Sequence, residues 1–263
     1  GLGLKMAESS IAVAVAVDKQ TEAVRKTLGV GKQYDSMLES QIRGLYHYGV
    51  GADETAKAFN SLYLSNRQFV KLGEAQKKSL VASTAQLAEL GASTDTTAEI
   101  TNNLTKGLGA SATEVEGISQ YLLNVSDAMG RPVSAVAEDF KSASTRLAFY
   151  GMRMKKVFEG LEAQSMATGL SVDKLLDVVG DPFDTFEGSA QAVGRLNAIL
   201  GGPYLNSIDM LNASEEQRVR MLRQSIKLAG ISFDQLGKFE KLTIASALGT
   251  DVDTAMKMLR GMN

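Results

Sequence analysis

Few side chains in this sequence could carry out nucleophilic or metal-dependent chemistry. There is no cysteine and a single histidine, His47. A triad of serine, histidine and aspartate would have to use His47, and a structural zinc site needs several histidine, cysteine or carboxylate ligands. His47 precedes Gly49 at a predicted helix end, where an imidazole complements the last carbonyl groups of the helix. This position favours a capping role for His47.

Two pairs of aspartates have a spacing that general acid–base catalysis could use. Asp173 and Asp177 share one face of a predicted helix, and Asp181 and Asp184 lie in the turn around Pro182. No further ligands converge on either pair in the sequence. We therefore interpret both pairs as solvated.

Asp251 and Asp253 lie at the predicted start of a helix. Negative charge is stabilised there by about 0.3–1 kcal/mol, because the helix dipole presents its positive end. The simplest interpretation is that the two aspartates stabilise the N-terminus of this helix.

Three further patterns match parts of known sites. Glu39-Ser40 and Glu8-Ser9 match the dipeptide that opens the signature of lytic transglycosylases, but the Gly-Leu-Met-Gln segment and the later Asn-Tyr element are missing. The run 49–53, GVGAD, lacks the layout of a phosphate-binding P-loop. We therefore predict that the chain is not an enzyme. We predict no catalytic, cofactor-binding or metal-binding residues and no cofactor.

The charge balance argues against a polyanion as the main ligand. Lys and Arg total 28 against 30 Asp and Glu, which gives a net charge of −2, so no long-range field favours nucleic acid or an anionic membrane. The basic clusters alternate with apolar residues at helical spacing, which predicts charged outer faces of packed helices. Their members are Arg153, Lys155, Lys156, Arg218, Arg220 and Arg223. Methionines 210, 221, 256 and 258 favour core packing, with an adaptable partner surface as the alternative.

Glycines and capping residues indicate many short helices. Six predicted helix ends have a glycine that can adopt the left-handed conformation; these are Gly91, Gly109, Gly130, Gly169, Gly230 and Gly249. Predicted capping boxes pair Ser111 with Glu114, Thr96 with Glu99, Ser214 with Gln217 and Ser232 with Gln235. The predicted helices are 4–28, 33–48, 53–89, 96–106, 112–128, 133–165, 171–179, 188–200, 205–211, 214–228, 233–247 and 251–261.

These elements predict an all-α fold: a compact multi-helix body of short capped helices, one or two longer helices at 53–89 and 133–165, and no substantial sheet. The stretch 180–188, which begins and ends with glycine and contains Pro182, suggests a boundary between an N-terminal helical body, 1–180, and a C-terminal helical body, 181–263.

The most apolar run is Ile11–Val17, IAVAVAV. Its alternation is compatible with a short strand, but helix-forming residues on both sides favour a helix. The run is far shorter than the roughly 20 residues that cross a bilayer. We therefore expect no stable membrane segment.

The C-terminal part of the chain resembles tail tape measure proteins and related structural tail proteins of tailed bacteriophages. The resemblance is best over 165–263 and rests on three stretches: 192–207, AVGRLNAILGGPYLNS; 211–217, LNASEEQ; and 231–236, ISFDQL. The N-terminal half shares only a style of Ala-, Ser- and Thr-rich helices without cysteine. The three stretches contain no catalytic motif, so the resemblance assigns no functional residues.

The resemblance implies a virion structural protein, made in the bacterial cytoplasm and located in the interior of the phage tail. Such a protein takes part in tail assembly, length determination and genome ejection. Its expected partners are the tail tube and the hub or baseplate proteins, with a passing contact with phage DNA. We also expect a homo-oligomer, because identical helical chains can share interfaces by rotational symmetry.

Two alternatives remain open from the sequence. The first is a helical scaffold or interaction module of another assembly, such as a secretion system or the interior of a capsid. The second is a virion-associated peptidoglycan hydrolase that uses Glu39 or Glu8.

Overall fold

The computed structural model describes the backbone of residues 2–260 and the side chains of residues 9–111 and 113–260. Every regular element between residues 2 and 260 is helical, and no strand occurs there. The predicted all-α fold is therefore confirmed. The α-helices are α1 (Leu2–Leu28), α2 (Asp35–Tyr46), α3 (Ala52–Ser65), α4 (Glu74–Glu89), α5 (Thr94–Asn102), α6 (Ala112–Met129), α7 (Val133–Arg146), α8 (Met154–Thr168), α9 (Val172–Val179), α10 (Phe186–Leu200), α11 (Ser207–Asn212), α12 (Glu215–Leu228), α13 (Lys238–Ala247) and α14 (Val252–Leu259).

The chain forms two compact units, the first ending at Met152 and the second beginning at Arg153. This division differs from the predicted boundary between residues 180 and 181. The reason is that α9 packs against α8 and α12, and the 3₁₀ turn Asp181–Phe183 packs against α9 and α10. The stretch 180–188 therefore lies inside the second unit.

The predicted left-handed glycines at helix ends are confirmed. All six glycines at predicted helix ends have φ between +62° and +103°. A residue with a Cβ atom rarely adopts this left-handed conformation, which lets the chain turn and satisfy the last carbonyl groups of a helix. The turns between helices are thus encoded locally.

Two of the four predicted capping boxes are present. The Ser111 N–H donates to Glu114 at 2.8 Å, and the Glu114 N–H donates to the Ser111 hydroxyl at 3.3 Å. The Ser214 N–H donates to the Gln217 side chain at 3.0 Å. These bonds fix the starts of α6 and α12.

The other two predicted caps are wrong. α5 begins two residues earlier than predicted, because the Ser93 hydroxyl accepts the Thr96 N–H at 3.0 Å and makes Ser93 the cap. Ser232 precedes only the 3₁₀ turn Phe233–Gln235 and makes no side-chain cap there. α13 begins later, after Gly237.

The predicted long helix 53–89 is two helices, α3 and α4. Asn66 leaves the helical conformation at φ −122° and ψ 97°. Its side-chain oxygen accepts the Gln68 N–H at 2.9 Å, and its amide nitrogen donates to the Thr105 hydroxyl at 3.3 Å. The Asn66 side chain therefore competes with the helix for backbone hydrogen bonds.

The predicted long helix 133–165 is also two helices, α7 and α8. Gly151, between them, has φ 57° and ψ −145°, a backbone region that is essentially limited to glycine. α1, with 27 residues, is the longest of the described helices.

Candidate interaction surfaces

α1 is the helix of Ile11–Val17, so the favoured helical interpretation of this run is confirmed. α1 packs against α2 and α3. Its packed face buries Val17 and Val24, which are 4% and 1% exposed. On the same helix, Ile11 and Val15 are 65% and 62% exposed. We call residues 11–17 the α1 apolar segment.

The exposed side of α1 changes from apolar to charged along the helix. Because successive helical residues are rotated by about 100°, Val15 lies about 160° and Ile11 about 120° around the helix axis from Val17. Seven residues further on, the same outer face carries Asp18 and Glu22. Glu22 forms an ion pair of 2.7 Å with Lys26. The outer face is therefore apolar over residues 11–15 and charged beyond them.

A second candidate surface is an open groove on the second unit, which we call the α11–α12 groove. It has two halves, with volumes of about 510 and 410 Å³, that share Asp209, Met221 and Gln224. Gln217 lines the first half, and Tyr204 lines the second. The groove thus combines carboxamide groups with apolar contact area.

The wall of the groove formed by residues 203–206 is held by α10. The Asn197 side-chain amide donates to the Leu205 carbonyl at 2.8 Å and accepts the Leu205 N–H at 2.9 Å. The buried Ser189 hydroxyl donates to the Ser207 carbonyl at 2.7 Å. Between these points Asn206 caps α11 by accepting the Ile208 N–H at 2.9 Å.

Hydrogen bonds from the buried side chain of Arg218, on α12, hold the α11 wall of the groove. The Arg218 guanidinium donates to the carbonyl oxygens of Met210 at 2.7 Å and Leu211 at 3.0 Å. It also donates to the Val179 carbonyl at 2.8 Å and the Phe183 carbonyl at 3.3 Å. These carbonyls belong to helix ends, turns and α11, so one side chain joins α9, α11 and α12.

The predicted position of Arg218 on a charged outer face is wrong, because the residue is only 4% exposed. Arg220 is exposed as predicted and forms an ion pair of 3.0 Å with Glu216. Arg223 donates to the Gln164 side chain of α8 at 2.9 Å. The three arginines thus have different roles.

Charge in the α11–α12 groove is concentrated at Asp209. Of the two charged residues that line the groove, Arg220 is neutralised by Glu216 on its own helix. The exposed Asp209 carboxylate has no ion-pair partner among the residues the structure describes. The groove therefore has a local negative charge beside Tyr204 and Met221.

The described candidate enzyme residues lie on or next to α2 and at the start of α3. His47 is exposed and occupies the C-cap position of α2, where its backbone N–H donates to the Leu45 carbonyl. The predicted contact of its imidazole with the last carbonyl groups of the helix stays a prediction. Glu39 is exposed on α2 and paired with Arg43 at 3.0 Å. The side chain of Glu8 lies outside the described residues. Gly51 caps the start of α3 at φ −68°.

The candidate aspartate pairs have separate environments. Asp173 and Asp177 are both exposed on α9, as predicted. Asp181 is exposed, and so is Asp184, as predicted. The Asp184 carboxylate also forms an ion pair of 2.7 Å with Arg218.

Asp251 caps α14, as predicted. Its carboxylate accepts the Thr254 N–H at 2.8 Å and the Thr254 hydroxyl at 2.9 Å. These bonds, from the backbone first and then the hydroxyl, lower the pKa of Asp251. This shift belongs to a helix cap and indicates no catalysis.

The other basic cluster and the methionines are mostly structural. Arg153 and Lys156 are exposed, Lys155 is half-buried, and the neighbouring Phe149 is 71% exposed rather than packed. Met210 and Met258 are fully buried, which confirms core packing for these two. Met256 is half-buried, and Met221 lines the groove.

The first unit has a polar seam between α5 and α7. The Thr96 hydroxyl donates to the Glu138 carboxylate, and Lys141 forms an ion pair of 2.7 Å with Glu138. The hydrogen bond from Lys141, followed by the one from Thr96, lowers the pKa of Glu138. The same contact with Glu138 raises the pKa of Lys141.

Among the described residues, no three His, Cys, Asp or Glu side chains come together as a metal site. No described helix is long and apolar enough to span a membrane. Comparisons with protein families, curated proteins and solved structures found no match to this chain.

Proposed function

We propose that this chain is a non-enzymatic helical module of a larger assembly, in which copies associate through the α1 apolar segment. The observation that carries the proposal is the exposure of Ile11 and Val15 on a helix that is already packed by another face. A helix that is apolar on all sides is normally buried, and exposed apolar patches mark interaction sites.

A second copy of the chain suits this segment. Ala12, Ala14 and Ala16 alternate with β-branched valines, and small residues let two helices approach closely while Ile and Val fill the interface. The charged face at Glu22 and Lys26 ends the apolar contact. Identical segments can meet about a two-fold axis, which gives a closed oligomer.

Within this class we propose a virion protein of the tail tape measure type, acting in tail assembly, length determination and genome ejection. The support is the resemblance of stretches 192–207, 211–217 and 231–236 to such proteins. In the structure, the first two of these stretches supply the C-terminal part of α10, the loop 203–206 held by Asn197, and the start of α12. The proposed location is the tail interior, with contacts to the tail tube and the hub or baseplate.

Self-association is tested by sedimentation velocity over a range of protein concentrations. The purified chain should sediment as an oligomer, and the double variant Ile11→Lys, Val15→Lys should be monomeric because charge at the interface is not compensated. Phe239→Lys, which changes an exposed side chain of the second unit, is the matched control and should associate normally. A monomeric wild type would refute the proposed association.

The specific role is tested by quantitative mass spectrometry of isolated particles that contain the chain. A tape measure protein should be present in a few copies per tail, and shortening its gene should shorten the tail. Many copies per particle, as in a scaffold or shell, would contradict this role without affecting the association through α1.

A further inference from the structure

A small cavity lies between α4, α5 and α6 of the first unit, and we call it the α4–α6 cavity. Thr84 lines it from α4, Thr101 from α5 and Ser119 from α6. The side chains of Thr84 and Thr101 are in the interior, with 1% and 3% exposure. The cavity has a volume of about 10 Å³, which gives room for one water molecule and for no larger ligand.

The lining of the α4–α6 cavity combines apolar side chains with hydroxyl groups. Leu80 and Ile118 supply buried apolar surface, and Thr84, Thr101 and Ser119 bring one hydroxyl from each of the three helices. A cavity lined only by apolar side chains stays dry, whereas a water molecule is held where two to four polar partners surround it. The lining therefore favours a bound water molecule.

Two of these hydroxyl groups have already used their hydrogen atom. The Thr101 hydroxyl donates to the Thr97 carbonyl at 3.0 Å, and the Ser119 hydroxyl donates to the Ser83 carbonyl at 3.3 Å. A hydroxyl group has one hydrogen to donate and two lone pairs that accept. Thr101 and Ser119 can therefore only accept from a ligand in the cavity, and that ligand must be a donor.

The Thr84 hydroxyl supplies the complementary group. It forms no hydrogen bond with any residue that the structure describes, although the residue is only 1% exposed. A buried hydroxyl without a partner is costly, and buried polar groups in native proteins are satisfied by protein or by ordered water. Thr84 can thus donate to the same ligand that donates to Thr101 and Ser119.

We infer that the α4–α6 cavity binds one water molecule, which accepts from the Thr84 hydroxyl and donates to the hydroxyl oxygens of Thr101 and Ser119. Water has two hydrogens to donate and can accept at its oxygen, so it satisfies all three groups. Three hydrogen bonds are typical of a buried water molecule. The water joins α4, α5 and α6 within the first unit, and its binding does not depend on association through α1.

A high-resolution crystal structure of the intact chain tests the inference directly. It should show an ordered water molecule in the cavity, within about 2.6–3.2 Å of the Thr84 Oγ1 atom and of the hydroxyl oxygen of Thr101 or Ser119. A cavity without density, or a Thr84 hydroxyl that donates to a backbone carbonyl instead, would overturn the inference.

Thr84→Val gives a second, independent test, because it removes the hydroxyl and nearly keeps the shape of the side chain. If the water is bound, the variant loses a hydrogen bond, and its unfolding temperature should fall by about 2–4 °C for a chain of this size. If the Thr84 hydroxyl has no partner, the same substitution should raise the unfolding temperature, which would contradict the inference.

Thr55→Val is the matched control. It removes another buried hydroxyl of the first unit, which donates to the Gly51 carbonyl at 3.0 Å and lies outside the cavity lining. Crystals of this variant should retain the water in the α4–α6 cavity, and crystals of Thr84→Val should lose it. A water molecule that is present in both variants, or lost from both, would contradict the assigned role of Thr84.

Discussion

Arg218 and Asp184, 34 residues apart in the chain, form an ion pair of 2.7 Å that spans from the interior to the surface. The Arg218 side chain is 5% exposed and the Asp184 side chain is 51% exposed. The remaining donors of Arg218 bond to carbonyl oxygens of α11, of the end of α9 and of the turn after it. The guanidinium is thus satisfied mainly by backbone groups.

Arg218→Lys should lower the free energy of unfolding by about 3 kcal/mol. A lysine cannot reproduce the planar fork, and each buried carbonyl left without a donor costs about 1–3 kcal/mol. Urea unfolding monitored by circular dichroism measures the effect. Arg220→Lys is the control and should change stability by less than about 0.5 kcal/mol, because its ion pair with Glu216 lies on the surface. Equal effects would argue against the assigned role of Arg218.

Gly160→Ala and Gly194→Ala should change stability in opposite directions. Alanine in a helix interior is favoured over glycine by about 1 kcal/mol. A Cβ at Gly194 would meet no atom within 4 Å, so this variant should be stabilised. At Gly160 it would lie 2.7 Å from the Cγ of Glu216, and such overpacking costs about 1–3 kcal/mol. Thermal unfolding measures the effect as the change in unfolding temperature of each variant. An equal increase for both variants would contradict the close contact between Gly160 and Glu216.

The polar seam of the first unit should make stability depend on pH. Since the folded state lowers the pKa of Glu138, the carboxylate contributes stability above its unfolded pKa, and this contribution is lost as the pH falls through the folded pKa. Wild type and Glu138→Gln should therefore differ in urea stability at pH 7 and converge as the pH falls through the lowered pKa of Glu138. A difference that stays constant over this range would exclude the ionised carboxylate as its source.

Asn197→Ala should loosen the loop that forms one wall of the groove. The variant removes both hydrogen bonds to the backbone of Leu205, so the Leu205 amide should exchange with solvent at least about fivefold faster, which corresponds to the loss of about 1 kcal/mol. Hydrogen exchange followed by NMR measures this rate. The amide of Val219, inside α12, is the control and should exchange at the wild-type rate.

The helical fold and many helix ends were predictable because they depend on local chemistry. Gly130 and Gly169 end helices in the left-handed conformation, and Ser111 caps α6 through Glu114. The break at Asn66 was missed because the residue can continue or end a helix, and its contact with Thr105 comes from 39 residues away. Whether a helix continues or ends at Asn66 therefore depends on contacts that form only in the folded chain.

The groove could not be predicted, because its walls are held by contacts between distant residues. Arg218 did carry a signal, since it lies four and seven residues before the buried Leu222 and Ser225, on the same helical face. Its charge favoured an outer position, but the carbonyls of Val179 and Met210 satisfy it in the interior. The helical periodicity of the sequence does not reveal which backbone carbonyl groups will lie near Arg218.

The absence of cysteine from the sequence allows a direct test of the central claim, that copies associate through the α1 apolar segment. Val15→Cys and Glu22→Cys place single thiols on the same outer face of α1, seven residues apart. Treated with a short bismaleimide at low protein concentration, Val15→Cys should give a covalent dimer, and Glu22→Cys should give far less. If the two variants cross-link equally, or if neither does, the α1 apolar segment is not the interface.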